Sequence, residues 1–333
     1  MFSEFISRDG AALNLKSLGS TLFTILLSLL AVEAALRLAD FRVLRQDASE
    51  RSLSYDYDAE LGWIPVPNSE AVVTTARTIH ASHNSLGLRD IEYRPDGRPA
   101  ILFLGDSFVW GVDAEANERF TDLLRERLPR FSIVNAGVSG YGTDQELLWL
   151  KRLWPTIKPA IVVLLFCTDN DRLDNGTNVR YGGYRKPYFE IATDGSLIAR
   201  GQPVPKSLKL MIRDEWLPRH VWLARLASFA YVELHAPQLF VPDPTDRLMG
   251  AINDFVTSNG GRLLVALQHK DDQLEAYLQQ RRIPFVPLDG AAAYGAEYGA
   301  HFTPEGNQFV SRILETFLNE QAPQSGRTAG ERN

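Results

Sequence analysis

Between residues 98 and 320 the chain alternates short apolar runs with segments of helical periodicity. Five runs have the composition of buried strands, at residues 100–104, 131–136, 160–166, 262–268 and 283–288. The segment after the first run places four apolar side chains on one helical face, those of Phe120, Leu123, Leu124 and Leu128. Strands that alternate with helices form a parallel sheet covered on both faces. We therefore predict a doubly wound α/β domain.

The ends of several helices carry their own signals. Thr143 with Glu146 has the spacing of a capping box, which predicts the start of a helix there. Thr303 followed by Pro304 predicts a final helix that runs to about Asn319. Five such strands predict a three-layer, flavodoxin-like sandwich, in which ligands bind beyond the carboxyl ends of the parallel strands.

Residues 172–245 interrupt the alternation after the third strand. This segment is rich in Tyr, Gly, Pro and Asn and is too long for a simple connection, so we predict an inserted subdomain or lid. Its aromatic side chains could stack on sugar rings, or could form a small core for the insertion itself, which is the favoured interpretation. These aromatic residues are Tyr181, Tyr184, Tyr188, Phe189, Trp216 and Trp222.

An apolar segment near the N-terminus predicts a membrane anchor. Residues 18–32 carry no charge, and the apolar character resumes beyond Glu33. A helix needs about 20 apolar residues to cross a bilayer, which this segment reaches if Glu33 and Arg37 lie near the interface. A signal peptide and an interfacial helix are the alternatives, but no small-residue cleavage motif precedes a polar segment. A single transmembrane helix over residues 18–40 is therefore favoured.

The charges around this segment do not agree with export of the large domain. Two basic residues precede the span and four follow it, namely Arg8 and Lys16 before, and Arg37, Arg42, Arg45 and Arg51 after. Counted literally, they would leave the domain in the cytoplasm. Large domains are translocated largely regardless of nearby charge, so we predict a periplasmic or otherwise extracytoplasmic domain.

Composition sets further limits. A net charge of −6 and an isoelectric point near 5.6 provide no basic surface for nucleic acid. One cysteine, Cys167, excludes an internal disulfide and a cysteine-based zinc cluster. We expect no metal and no cofactor. The predicted division of the chain is an N-terminal tail (1–17), the anchor (18–40), a stalk and extension (41–97), the α/β domain (98–320) with its insertion (172–245), and a disordered tail (321–333).

Polar residues follow the predicted strands at the edge where ligands bind. Ser107 follows the first strand, a glycine-rich turn at 135–145 follows the second, and Asn170 follows the third. His301 precedes the last helix. A serine, a histidine base and oxyanion donors are the parts of a nucleophilic acyl-transfer site. Each motif alone is equally typical of a turn or a helix cap.

Four short blocks in this order, "GDSFVWG", "GVSGYGTD", "CTDND" and "HFTPEGN", resemble the SGNH (GDSL-type) hydrolase superfamily. The resemblance covers roughly residues 98–320. It implies that Ser107 is the nucleophile and His301 the general base, and that the Ser107 and Gly140 backbone amides and the Asn170 side chain form the oxyanion hole. Secondary candidates at the same edge are Asp106, Asp171, Asp289 and the reserve base His269.

The sequence departs from that superfamily at one position. The aspartate expected two or three residues before the histidine is replaced by Gly299 and Tyr298. Glu297 is the nearest carboxylate and the uncertain orienting acid. A dyad whose His301 is held by a backbone carbonyl and a protein of impaired activity are the alternatives.

The resemblance implies a serine-dependent ester hydrolase or O-acyltransferase that works through an acyl-enzyme. Anchored bacterial proteins of this type often act on acylated cell-surface carbohydrate, so an O-acetylated glycan is the expected substrate, with a membrane-bound acyl-transfer partner in the transferase case. A lipid esterase or thioesterase is one alternative. The other is a non-catalytic cell-envelope binding or assembly protein that keeps the fold.

Overall fold

The computed structural model describes residues 15–45, 54–180, 183–290 and 301–321. Its elements are numbered in chain order. The strands are β1 (Tyr55–Asp58), β2 (Gly62–Pro65), β3 (Glu70–Thr74), β4 (Thr78–Ser82), β5 (Ala100–Gly105), β6 (Ser132–Asn135), β7 (Ile161–Phe166), β8 (Val179–Arg180), β9 (Tyr184–Arg185), β10 (Tyr188–Ile191), β11 (Leu197–Arg200), β12 (Arg262–Leu267) and β13 (Phe285–Pro287). The helices are α1 (Leu15–Ala39), α2 (Ser107–Trp110), α3 (Phe120–Arg127), α4 (Thr143–Ile157), α5 (Asp171–Asn175), α6 (Leu208–Asp214), α7 (Trp216–His220), α8 (Trp222–His235), α9 (Thr245–Ser258), α10 (Asp272–Arg281) and α11 (Pro304–Gln321).

A five-stranded parallel sheet in the order β6-β5-β7-β12-β13 confirms the predicted fold class. Every residue of β5 and β7 is buried, which explains their unbroken apolar sequences. One face of the sheet packs on α4, α9 and α10, and the other packs on α2, α3 and α11. Since β5 lies between β6 and β7, the loops after these three strands meet at one edge.

The N-cap residue predicted from the sequence is correct for α11 and wrong for α4. Thr303 caps α11, because its Oγ1 accepts a hydrogen bond from Gly306 N at 3.2 Å and Pro304 is the first helical residue. The capping-box prediction at Thr143 is wrong. Gly142 occupies the N-cap position of α4 and Thr143 is already helical, because the helix begins one residue earlier than that motif requires.

The described part of the insertion contains small hairpins and, after the short α5, the helices α6 to α8. Tyr184 and Phe189 are buried in the main core, where the Tyr184 ring meets the Trp63 ring edge-on at 5.5 Å between centroids. These two aromatic side chains therefore serve packing, as favoured above. Tyr181 lies outside the described residues.

Helix α1 is long and apolar enough to be a membrane span or a signal sequence, with a mean hydropathy of 2.0 over Ser17–Ala39. The two charged side chains in its second half, those of Glu33 and Arg37, pair with each other, since Arg37 Nε lies 2.7 Å from Glu33 Oε1. Leu36 near its end is buried against Leu208 and Ile212 of α6. The end of α1 therefore packs against the insertion.

Candidate active site

Ser107 lies at the first position of α2, directly beyond the carboxyl end of β5. Asp106 caps this short helix, because its Oδ1 accepts a hydrogen bond from Phe108 N at 2.9 Å. A Cβ on Gly105 would lie 2.4 Å from Val109 Cγ2, so only glycine allows α2 to turn back so closely on the strand. The turn holds Ser107 in a fixed and nearly buried position.

His301 comes from the other end of the chain and meets Ser107. Its Nε2 lies 2.9 Å from Ser107 Oγ, and its ring packs on the Phe108 ring at 4.9 Å between centroids. Asn307 on the first turn of α11 ties this segment down, since its side chain donates to Phe302 O and accepts from Phe120 N. A serine hydroxyl within hydrogen-bond distance of a histidine nitrogen is the arrangement of an activated nucleophile.

The remaining loops bring the candidate oxyanion donors to the same edge. Asn170 Nδ2 lies 3.5 Å from Asp106 Oδ2, beside the Ser107 turn. The loop that carries Gly140 is held against β5, because Val138 N donates to Gly105 O at 3.0 Å. Gly140 itself has a φ of +87°, which favours glycine. The structure therefore brings Ser107, His301, Asn170 and the Gly140 loop together.

A carboxylate that the sequence reasoning missed faces the far side of His301. Asp113 Oδ2 lies 4.0 Å from His301 Nδ1, and the Asp113 side chain is only 1% exposed. Its Oδ1 accepts hydrogen bonds from Arg77 N at 3.0 Å and from the Thr75 hydroxyl, both in the turn between β3 and β4. Its Oδ2 has no hydrogen-bond partner among the described residues. Asp113 thus occupies the place of an orienting acid.

Little in the sequence pointed to Asp113. It lies six positions after Ser107 in the loop that follows α2, and the residues that hold it come from the N-terminal extension about 36 positions earlier. The one available signal was a carboxylate close to the serine in a chain that lacks the usual acid near its histidine. Glu297, predicted as the uncertain orienting acid, lies outside the described residues.

The secondary candidates take different places. His269 Nδ1 lies 3.6 Å from Asp289 Oδ1, and both side chains are nearly half exposed, so they pair with each other. Asp171 is buried, and its Oδ2 accepts a hydrogen bond from Cys167 N at 2.7 Å. This bond joins the first residue of α5 to the residue that directly follows β7. No cluster of three or more potential metal ligands occurs within the parts of the chain that the structure describes.

Buried carboxyl groups lie behind the serine. Burial, then the nearby charges of Asp106 and other acids, raises the pKa of Glu146 well above its usual range. Burial and the proximity of Glu146 and Asp106 raise the pKa of Asp171 in the same way. Both groups therefore keep their protons to higher pH than exposed carboxyl groups do. Neutral carboxyls avoid adding negative charge where an oxyanion would form.

We expect the chain to lose stability as the pH rises, and Glu146→Gln to reduce this loss. Between the ordinary pKa of a glutamate and the raised pKa of Glu146 in the folded chain, the unfolded chain releases this proton while the folded chain keeps it. In that range each pH unit lowers the free energy of unfolding by about 1.4 kcal/mol per such group. Urea unfolding in non-ionic detergent between pH 5 and 8 should give a slope that is shallower by about this amount in the variant. Exposed Glu126→Gln is the matched control. Equal slopes for wild type and Glu146→Gln would contradict the assignment.

The fold and this site together define a serine ester hydrolase. Residues 103–309, more than half of the chain, match the GDSL-like Lipase/Acylhydrolase family, and the chain belongs to that family. No curated protein sequence matches the chain.

Several solved structures are similar in fold. The aryl esterase of M. smegmatis is 13% identical with a TM-score of 0.40, and the match covers 67% of this chain and 99% of that one. A GDSL-like lipase from Bacteroides thetaiotaomicron is 12% identical, TM-score 0.36, with 68% and 91% covered. The esterase EstA from Pseudoalteromonas sp. is 9% identical, TM-score 0.38, with 66% and 97% covered.

Proposed function

We propose that this chain cleaves esters through an acyl-enzyme on Ser107, with His301 as the general base. The observation that carries the proposal is the distance of 2.9 Å between Ser107 Oγ and His301 Nε2 at the carboxyl edge of the sheet. Oγ attacks the ester carbonyl carbon while its proton moves to Nε2. The Ser107 and Gly140 amides and Asn170 Nδ2 stabilise the oxyanion.

Collapse of the tetrahedral intermediate breaks the bond to the alcohol oxygen, which takes the proton from His301 Nε2 and leaves. The acyl group then remains on Ser107 Oγ. A second nucleophile attacks its carbonyl, gives its own proton to His301, and releases the acyl group as the Ser107 hydroxyl reforms. Water as this nucleophile makes the protein an esterase, and a sugar hydroxyl makes it an O-acyltransferase.

Asp113 supplies the charge that this cycle needs on the far side of His301. The imidazole becomes positively charged twice in each turnover, and a buried carboxylate 4.0 Å from Nδ1 stabilises that charge. Catalytic hydrogen bonds are often long in the absence of substrate and shorten when it binds. We assign Asp113 as a positioning residue in place of Glu297.

The acetylated cell-surface carbohydrate expected from the sequence remains the proposed substrate, with α1 as the anchor and the domain outside the cytoplasm. The length and apolar character of α1 support the anchor. The choice of an acetyl ester rests on the resemblance to the SGNH superfamily, since the small pocket lined by Trp110, Val112 and Ser139 includes neither Ser107 nor His301.

A lipid ester is the second candidate, favoured by apolar residues near the site. Leu173, three positions after Asn170, and Phe240 are both largely exposed. Phe240 pairs with Thr177 across an isolated β-bridge, so it lies next to the segment that follows α5. Such side chains could receive a long acyl chain.

An ester series distinguishes these candidates. The full chain in detergent is expected to hydrolyse p-nitrophenyl acetate faster than the octanoate and palmitate esters, and to release acetate from an acetylated polysaccharide. Faster hydrolysis of palmitate than of acetate would replace the carbohydrate proposal by the lipid one. Wild-type rates no higher than those of a Ser107→Ala chain on every ester would contradict both.

A further inference from the structure

The outer face of α8 is apolar although it is exposed. Five of its residues point to solvent at spacings of three and four, so they share one side of the helix. They are Leu226, Ala227, Ala230, Tyr231 and Leu234. Leu234 is 80% exposed and Tyr231 is 60% exposed. Soluble surfaces rarely carry an uninterrupted apolar helix face, so this one indicates a partner.

Exposed apolar side chains also occur on α7, which precedes α8 by one residue. Trp216 is 68% exposed and Leu217 is 58% exposed. Tryptophan and tyrosine side chains are enriched at the interface between a bilayer and water, and both Trp216 and Tyr231 are exposed. We call the outer face of α8 together with Trp216 and Leu217 the apolar face.

The opposite side of α8 is fixed to the protein. Phe229 packs with Leu44 and Leu208 in a small core, and Val232 is buried. Glu233 forms a salt bridge with the buried Arg185. Because these contacts hold the inner side of α8, the helix cannot rotate to bury its outer side.

The corner between α7 and α8 is joined directly to α1. Glu33 accepts hydrogen bonds from the backbone amides of Trp222 and Leu223, at 3.0 and 2.8 Å, which are the first two residues of α8. A carboxylate at that position caps the helix and interacts favourably with its dipole. Arg37 donates to His220 O at 2.6 Å. Glu33 and Arg37 thus fasten the end of α1 to the corner between α7 and α8.

We propose that the apolar face lies in the surface of the same bilayer that α1 enters. The lipid surface is favoured as the occupant because the apolar face is continuous with the proposed span: the hydrogen bonds of Glu33 place α8 at the end of the segment that would leave the membrane. A helix of 14 residues is about 21 Å long, so α8 would hold the domain in one orientation on the bilayer.

This orientation bears on the site. Beyond α8 the chain returns to α5, where Val241 N donates to Gly176 O at 2.9 Å, six positions after Asn170. The exposed Phe240 and Leu173 lie on this path. The carboxyl edge of the sheet would therefore open close to the membrane surface, where an acylated lipid or membrane-attached carbohydrate is presented.

The inference rests on the proposed membrane position of α1, and probes at separate sites test the two apart. Burial raises the pKa of the Cys167 thiol, so a maleimide fluorophore can be directed to cysteines introduced one at a time at Leu26, Ala230, Leu234 and Asp272. Leu26 reports on α1, Ala230 and Leu234 on the apolar face, and Asp272 on an exposed part of α10. The wild-type chain measures labelling of Cys167 itself. Each full-length chain is reconstituted into phosphatidylcholine–phosphatidylglycerol vesicles without labelled lipid, or with a mixture of lipids that carry a nitroxide near the headgroup and lipids that carry one on the acyl chain, so that both the surface and the centre of the bilayer are probed.

We expect at least twofold quenching at positions 26, 230 and 234 and none at 272. Quenching at 26 without quenching at 230 and 234 would overturn the inference and leave the membrane position of α1 intact. Absence of quenching at 26 as well would overturn both the membrane position of α1 and the inference on the apolar face. The proposed esterase activity would be unaffected, because the ester assays measure it separately. Disulfide cross-linking of two chains through position 234, with no quenching there, would assign the apolar face to a second copy and overturn the inference.

Discussion

Replacing Ser107 by alanine is expected to lower kcat for p-nitrophenyl acetate by about 10⁴-fold or more, to the rate of the buffer alone. The hydroxyl is the only atom group lost, and without it no acyl-enzyme can form on the oxygen that lies 2.9 Å from His301. KM should change little, because the hydroxyl contributes bond formation rather than ground-state binding. Initial rates with purified full-length chains in detergent provide the measurement.

A fluorophosphonate provides the complementary result without knowledge of the substrate. Intact mass analysis is expected to show one phosphonyl group on the wild-type chain, localised to Ser107 by peptide mapping, and none on Ser107→Ala. Ser311→Ala is the matched control, since Ser311 is a fully buried serine on α11. Phosphonylation elsewhere, or equal esterase rates for wild type and Ser107→Ala, would show that Ser107 is not the nucleophile.

The second large effect is expected for Asp113→Asn, which should lower kcat by about 10⁴-fold if Asp113 acts on His301 as an orienting acid does. Asparagine keeps the size of the side chain and tolerates the positive φ of 61° at this position. It also keeps an oxygen for the hydrogen bond from Arg77 N. What it removes is the charge facing His301 Nδ1, and its NH₂ group would favour the wrong tautomer of the imidazole.

The pH profile separates this role from a purely structural one. A neighbouring anion favours the protonated imidazole, so loss of the Asp113 charge should move the ascending limb of kcat/KM to lower pH. Asp289→Asn, which removes an exposed carboxylate paired with His269, should leave both the rate and the profile unchanged. If Glu297→Gln abolishes activity while Asp113→Asn retains more than a tenth of it, Glu297 is the orienting acid.

Comparison of Thr143 with Thr303 shows when a local sequence motif predicts the N-cap residue of a helix correctly and when it does not. Both have the spacing of a helix start, but only Thr303 caps its helix, and Thr143 is already inside α4. Tertiary packing decided between them. The Gly142 turn is confined by Asn175, whose Oδ1 would lie 2.9 Å from a Cβ added to Gly142 and accepts a hydrogen bond from Asp144 N. A residue on α5, 33 positions away, thereby influences where α4 begins.

The sequence by itself determined the parallel sheet and named most of the groups in the proposed site. Unbroken apolar strands can be buried only in a sheet covered on both faces, and the carboxyl ends of adjacent strands must meet at one edge, so Ser107, Asn170 and the Gly140 turn could be placed together from their order alone. Tertiary structure alone decided which acid faces His301, because Asp113 is positioned by Thr75 and Arg77 of a distant hairpin. It likewise decided that Glu33 caps α8, since hydrogen bonds between distant segments leave no periodic pattern in a sequence.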